Sequence, residues 1–183
     1  MKGILKDKGG TAVDNTAALL KQAKEGNAAA FGALYALYAE QAYAYACAIL
    51  KNTHAAEDAV QETCIKVYKS VRNIRNADAF KAYFFKTLSN TAKTILRRST
   101  FCTVGEEITD SAPAPENTAQ TAELRTDLAA ALYKLTDEER QIVLLSAVAG
   151  LSSKEIADTV GLTAGAVRSK LSRSLQKLRT YLS

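Results

Sequence analysis

The segment Ser152–Arg173 constrains the fold of this chain more than any other, because its residues fit two short helices joined by one tight turn. Ile156 supplies an apolar residue of the first helix, and Leu162 and Val167 supply the apolar side of the second. Gly161 stands between them, where the chain must turn sharply and a positive φ favours glycine. The pattern predicts a helix-turn-helix.

The second helix of this motif is strongly basic, and no acidic residue follows Asp158. A basic helix held by a compact helical partner fits the major groove of DNA. Four polar residues recur in it at steps of one, three and four and therefore share a face. They are Arg168, Ser169, Ser172 and Arg173. Arginine can form two hydrogen bonds with guanine, so we expect this face to read bases. The lysines expected to contact phosphates are Lys154, Lys170 and Lys177. For any one of these basic side chains, the alternative is that it lies on a helix face exposed only to solvent.

Helical periodicity runs through most of the chain. Only two prolines and nine glycines occur in 183 residues, and alanine, the best helix former, is abundant. Apolar residues recur at three- and four-residue steps, and no strand pattern appears. The predicted helices span 15–24, 27–51, 53–71, 79–98, 122–134, 137–149, 153–160 and 164–181. Gly26 is predicted to end the first helix, Asn27 and Thr163 to cap helices, and Thr136 and Ser152 to form capping boxes.

One segment, 99–121, interrupts the helical pattern. It holds both prolines and four acids, and it contains no lysine or arginine. This composition predicts a flexible acidic linker, which could reach about 75 Å when extended. The chain is therefore predicted to be all-α, with two small helical domains at 14–98 and 122–183 and a disordered segment at 1–13.

The composition narrows the class of protein. The formal net charge is +5, and two basic parts around an acidic segment point to nucleic acid. Three cysteines without a C-x-x-C spacing and a single histidine favour a reducing compartment and argue against zinc. No apolar run is long enough for a membrane span or signal peptide, and no P-loop or H-E-x-x-H motif occurs. We expect a cytoplasmic protein that has no cofactor, is not an enzyme and does not insert into a membrane.

Two parts of the chain resemble one protein family, in the order and at the separation that the family shows. The segment Leu135–Arg179 resembles region 4 of the extracytoplasmic-function (group 4) branch of the sigma-70 family. Asp58–Val71, DAVQETCIKVYKSV, is similar to the D-x-V-Q-E-x-F-x-x-x-[WY] marker of region 2, and Ala79–Arg98 resembles the segment that follows it. Tyr68 and Tyr83 stand where the family often has tryptophan.

The resemblance implies a sigma factor, which binds bacterial core RNA polymerase, directs initiation at specific promoters and assists their melting. Region 4 would recognise the −35 element through Arg168, Ser169, Lys170, Ser172, Arg173 and Lys177. Region 2 would read the melted −10 element through Asn73, Arg75, Asn76 and Asn90, with Lys93, Arg97 and Arg98 on the backbone. A flipped base needs polar partners for its edges and a surface to stack on, and an asparagine amide supplies such partners. Of the aromatic residues Tyr83, Phe84 and Phe85, we expect at most one to face DNA.

A further set of polar residues, Asp58, Gln61 and Glu62, occupies the family position that docks on the coiled coil of the polymerase β′ subunit. An acidic face opposite basic coiled-coil residues is electrostatically favourable. The alternative is that Glu57 and Asp58 lie in the first turn of a helix and favour its dipole.

The resemblance also implies the partners of the chain: the β flap of the polymerase, promoter DNA and an anti-sigma factor. The alternative function is an ordinary helix-turn-helix regulator that acts as a dimer on two half-sites. In the free state we expect the two domains to pack together, with their DNA-binding surfaces partly hidden.

Overall fold

Every regular element in the part of the chain that the computed structural model describes, residues 10–102 and 127–182, is helical. The first domain contains α1 (Gly10–Lys24), α2 (Ala28–Ala36), α3 (Ala39–Leu50), α4 (Thr53–Ser70), a 3₁₀ turn (Val71–Asn73) and α5 (Ala77–Cys102). The second contains α6 (127–133), α7 (Asp137–Ala147), α8 (Ser153–Val160) and α9 (Ala164–Leu182). The prediction of an all-α protein is confirmed.

Asparagine side chains cap the N-termini of α2 and α4 in the first domain. Asn27 Oδ1 accepts a hydrogen bond from the amide of Ala30 at 3.1 Å, as predicted. Asn52, which was expected only near the end of the preceding helix, caps α4 by accepting from Ala55 N at 2.8 Å. Each cap satisfies an amide that has no partner within its own helix. Gly26, with φ at +97°, ends α1 as expected.

The helix predicted for residues 27–51 is two helices, so this prediction is wrong at Leu37–Tyr38. The residue pattern there holds no proline or glycine that would mark a break. In the fold, the break lets two tyrosines pack against one helix. The ring centroids of Tyr35 and Phe84 are 6.0 Å apart, and those of Tyr38 and Phe80 are 5.9 Å apart. Packing between helices therefore decides this break.

Other helix ends also differ from the prediction, most of all those of α1 and α5. Helix α1 begins at Gly10 within a segment expected to be disordered, and the rest of that segment, 1–9, lies outside the described residues. Helix α5 begins at Ala77 because Asn76 Oδ1 accepts from Ala79 N at 2.9 Å and caps it. It continues to Cys102, four residues past the predicted end at Arg98, since no glycine or proline stops it there. The rest of the predicted linker, 103–121, also lies outside the described residues.

The core of the first domain is built on aromatic residues of α5. Phe80, Phe84 and Phe85 are fully buried and pack against aromatic residues of α2 and α3. Tyr68, at one of the positions where tryptophan is frequent in the family, lies with its ring centroid 4.9 Å from that of Phe31. These contacts hold α2, α3 and α4 around α5.

The two domains share one continuous apolar core. Tyr45 and Leu88 of the first domain belong to the same buried cluster as Leu145 and Ile156 of the second. At the edge of this contact, the Lys51 ammonium lies 4.0 Å from the centroid of the Tyr133 ring. The expected packing of the two domains against each other is therefore present in the structure.

Candidate nucleic-acid interface

The turn between α8 and α9 is held by local hydrogen bonds that the sequence predicted. Ser152 and Glu155 form a reciprocal capping box, in which the Ser152 amide donates to Glu155 Oε2 at 2.7 Å. Gly161 adopts φ +78°, and Thr163 Oγ1 accepts from Ala166 N at 3.2 Å to cap α9. The predicted helix-turn-helix geometry is thus confirmed, and it orients α9 with its basic face outward.

The four residues expected to read bases, Arg168, Ser169, Ser172 and Arg173, are all exposed on α9. The Arg173 guanidinium lies along the helix, where Nη2 donates to Ser169 Oγ at 3.1 Å and Nε donates to Ser169 O at 3.3 Å. It must leave these bonds to reach a base. Because this face is open, the expectation that packing of the domains hides the DNA surfaces is wrong for α9.

Two of the predicted phosphate-binding lysines form ion pairs with α7. Lys170 Nζ lies 2.6 Å from Glu138 Oε1, and Lys177 Nζ lies 2.6 Å from Glu139 Oε1. The hydrogen bond from Lys177, followed by that from the Thr136 amide, holds the pKa of Glu139 below its usual value. These lysines therefore tie α9 to α7, and a phosphate would have to compete with two carboxylates for them.

In the first domain, a cavity of about 190 Å³ opens where the 3₁₀ turn meets the start of α5. Its lining residues are Asn73, Ile74, Arg75, Ala79 and Tyr83. Tyr83 is 39% exposed, and its hydroxyl donates to Ser70 Oγ at 2.9 Å. An aromatic ring beside polar groups in a small cavity is the chemistry that an unstacked base requires.

Three consecutive aromatic residues of α5 differ in how far their side chains are buried. Phe84 and Phe85 are fully buried, whereas Tyr83 reaches the surface. The expectation that at most one of these three rings is available to DNA agrees with this exposure. Tyr83, Asn90 and Arg97 then follow one another at seven-residue steps, so they share a face of α5. Asn90 and Arg97 are exposed, and this stripe of residues leads from the cavity along the helix.

The other residues expected at the −10 element lie in different places. Asn73 and Arg75 line the cavity, whereas Asn76 is occupied as the cap of α5. Lys93 is half-buried and Arg98 is exposed, on either side of the stripe formed by Tyr83, Asn90 and Arg97. Ala79 and Tyr83 were not predicted as pocket residues, whereas Ile74 lies in the loop 73–78 that the resemblance to the family associates with the pocket.

The acidic face of α4 is exposed and includes a residue that the sequence reasoning missed. Asp58 and Gln61 are exposed, and Glu62 forms an ion pair with Lys66 at 2.7 Å. Ile65 is 56% exposed and lies on the same face, because it is seven residues from Asp58 and three from Glu62. This spacing could have revealed it. The helix-dipole alternative fails, since α4 begins at Thr53 and its first turn contains no acid.

No helix in the described part of the chain is long and apolar enough to cross a membrane. Cys47 and Cys64 are half-buried, and burial raises the pKa of both thiols. Both thiols are therefore protonated at neutral pH and are poor nucleophiles.

Fold and surfaces together define a helix-turn-helix protein whose other helical domain has its own candidate site for an unstacked base. The chain matches the Sigma-70 region 2 family over residues 34–101 and the Sigma-70 region 4 family over residues 125–178. It belongs to the sigma-70 family of RNA polymerase sigma factors, in the extracytoplasmic-function branch. An ordinary dimeric helix-turn-helix regulator is thereby excluded, because such a protein lacks region 2.

Individual relatives agree with this membership. The chain is 34% identical to the ECF RNA polymerase sigma factor SigE of Mycolicibacterium smegmatis over 152 residues, which are 80% of this chain and 59% of SigE. It is 30% identical to the RNA polymerase sigma factor SigV of Bacillus subtilis over 141 residues, 77% of this chain and 84% of SigV. The solved structure of CnrH in complex with the cytosolic domain of CnrY is 25% identical, with a TM-score of 0.70, and the match covers 92% of this chain and 97% of that one.

Proposed function

We propose that this chain binds bacterial core RNA polymerase and directs initiation at its own set of promoters, reading the −35 element with α9 and the melted −10 element with the cavity and α5. The observation that carries the proposal is the presence of two different nucleic-acid surfaces in one chain. One is a basic helix suited to duplex DNA, and the other is a cavity suited to an unstacked base. The chain acts as a specificity subunit, and the polymerase supplies the chemistry.

At the −35 element, the exposed face of α9 supplies the base contacts. Arg173 swings away from Ser169 and forms two hydrogen bonds with a guanine, while Arg168, Ser169 and Ser172 line the same groove. Lys154 and the paired Lys170 and Lys177 contact phosphates and fix the register of the helix on the duplex.

At the −10 element, a base leaves the stack and enters the cavity beside Tyr83. The exposed ring provides the stacking surface, and Asn73 and Arg75 provide hydrogen-bonding partners at the cavity wall. Asn90 reads a second base edge further along α5, and Lys93, Arg97 and Arg98 bind the backbone of the separated strand. Asn76 supports the site by capping α5 at the cavity rim.

The face of α4 formed by Asp58, Gln61, Glu62 and Ile65 docks on the coiled coil of β′. The acidic residues of this face pair with basic residues of the coiled coil, and the exposed side chain of Ile65 adds an apolar contact beside them. Region 4 meets the β flap. An anti-sigma factor holds the chain inactive in the cytoplasm, in keeping with the partner protein seen in the similar structure of CnrH.

The experiment that tests this function combines the purified chain with core polymerase and measures run-off transcription on a promoter library. Stable binding and new start sites are the expected result. The double variant Asp58→Ala/Gln61→Ala should lose core binding, whereas Glu40→Ala/Gln41→Ala, a matched pair of exposed residues on α3, should keep it. A chain that fails to bind core but binds duplex DNA tightly as a dimer would contradict the proposal.

A further inference from the structure

Helix α1 lies outside the part of the chain that matches the Sigma-70 region 2 family, which begins at residue 34. It nevertheless packs against the 3₁₀ turn that leads into the candidate base-binding cavity. Leu20 and Ala23 of α1 are buried in the same apolar cluster as Val71 of the turn and Ile74 of the cavity wall. Helix α1 is therefore part of the structure that supports the cavity.

A charged hydrogen bond connects the end of α1 to the cavity wall. Lys24 is half-buried, and its ammonium Nζ donates to the backbone carbonyl of Arg75 at 3.4 Å. Arg75 lines the cavity. Lys24 has no acidic partner among the ion pairs found in the described residues. Because a charged donor forms a stronger hydrogen bond than a neutral one, this contact restrains the backbone of the loop at Arg75.

The restrained peptide unit is the one that joins the 3₁₀ turn to α5. The turn ends at Asn73 and α5 begins at Ala77, so residues 75 and 76 make the connection. Rotation of the peptide plane after Arg75 would reorient its side chain at the cavity. It would also move Asn76, whose Oδ1 accepts from Ala79 N at 2.9 Å and caps α5. Since φ and ψ are the soft rotations of a backbone, Lys24 limits the loop to the conformation that shapes the cavity.

The stacking surface of the cavity does not depend on α1 in the same way. Tyr83 is carried by α5, and the fully buried Phe80 and Phe84 fix this helix in the core. Asn73 and Arg75, which line the cavity beside the ring, belong to the loop that Lys24 restrains. Hydrogen bonds weaken steeply when distance or angle changes, whereas stacking tolerates any base. A displaced loop therefore affects the choice between bases more than it affects stacking.

We propose that Lys24 is a positioning residue for base selection at the cavity, which acts by fixing the loop that carries Asn73 and Arg75 and not by binding DNA itself. The role in base selection rests on the proposed function, whereas the fixing of the loop does not. Helix α1 thereby takes part in reading the −10 element from a position in the chain that precedes region 2.

Amide hydrogen exchange of the free full-length chain tests whether Lys24 fixes the loop. Lys24→Met removes the ammonium and keeps an unbranched side chain, and Lys24→Arg keeps a charged donor. The matched control is Lys21→Met, the same change at an exposed position of α1. We expect exchange in residues 74–76 to accelerate about three- to tenfold in Lys24→Met, the effect of losing one hydrogen bond. Exchange in Lys24→Arg and Lys21→Met should stay near that of the wild type. Unchanged exchange in Lys24→Met would overturn the proposal.

Run-off transcription with core polymerase, measured across single-base variants of the −10 element, tests base selection. Lys24→Met should reduce the preference for the best base about three- to tenfold, and Lys24→Arg should restore it. An equal loss on every variant would indicate general destabilisation and contradict the proposal. So would a salt slope for binding of the separated strand that flattens by about 0.7, because Lys24 would then be a phosphate contact. If Lys24→Met loosens the loop but the wild type shows no dependence on the −10 sequence, the proposed function fails while the fixing of the loop stands.

Discussion

Lys177 Nζ of α9 lies 2.6 Å from Glu139 Oε1 of α7, a residue that also completes the capping box with Thr136. The same carboxylate thus caps the start of α7 and pairs with a residue of α9 that lies 38 positions later in the chain. Lys170 and Glu138 repeat the connection at 2.6 Å. Acids outside the helix-turn-helix therefore tie α9 to α7, in addition to the apolar contacts of Leu178 in the cluster that contains Val143.

Replacing Glu139 with glutamine should destabilise the second domain in a pH-dependent way. The folded pKa of Glu139 is lowered, so its stabilising effect is present above the ordinary glutamate pKa and is lost as pH falls through the folded value. We expect Glu139→Gln to lower the free energy of unfolding by about 1 kcal/mol at pH 7 and to have little effect at an acidic pH that lies below the folded pKa of this carboxyl. Urea denaturation of the wild type and the variant at both pH values measures the loss in free energy of unfolding. An equal loss at both pH values would contradict a role of the ionised carboxylate.

Freeing Lys170 should strengthen binding to duplex DNA. In Glu138→Gln the lysine no longer has a carboxylate partner, and its ammonium can reach a phosphate. We expect the slope of log affinity against log salt to steepen by about 0.9, the value for one more phosphate contact on duplex DNA. Salt titrations of −35 duplex binding by the complex with core polymerase measure the slope. Lys170→Gln is the control, and it should flatten the slope instead.

Loss of Arg173 should relax base preference in the −35 element. Arg173→Ala removes a potential double hydrogen bond with guanine, which contributes about 1–3 kcal/mol to discrimination. Lys154→Ala should weaken binding to all sequences uniformly, because a phosphate contact carries no base information. Competition binding across single-base variants of the element distinguishes the two. Uniform weakening by Arg173→Ala would mean that Arg173 contacts the backbone.

The ring of Tyr83, rather than its hydroxyl, should support promoter melting. Tyr83→Phe loses only the bond to Ser70, whereas Tyr83→Ala also removes the stacking surface at the cavity. A stacked base contributes about 1–3 kcal/mol, so Tyr83→Ala should reduce the open-complex constant roughly five- to a hundredfold. Tyr83→Phe should retain most of it. Fluorescence of 2-aminopurine placed in the −10 element reports melting, and equal defects in both variants would argue against stacking.

The local features of this protein follow from its sequence. Asn27, Gly26 and the capping boxes at Thr136 and Ser152 mark helix ends because their hydrogen bonds reach only three or four residues. The bounds predicted for α8 agree with the structure, and so does the positive φ of Gly161. The basic face of α9 and the acidic face of α4 can likewise be predicted from the sequence, since helical periodicity alone places their residues together.

Tertiary structure decided what depends on the packing of distant helices. The break at Leu37–Tyr38, the surface position of Tyr83 beside two buried phenylalanines, and the pairing of Lys177 with Glu139 carry no local signal. The bond between Gln141 and Ser89, 52 positions apart, is the clearest case. Sequence periodicity determines which face of a helix is apolar. Which polar groups of different helices come together is determined only by the angles and distances at which those helices pack.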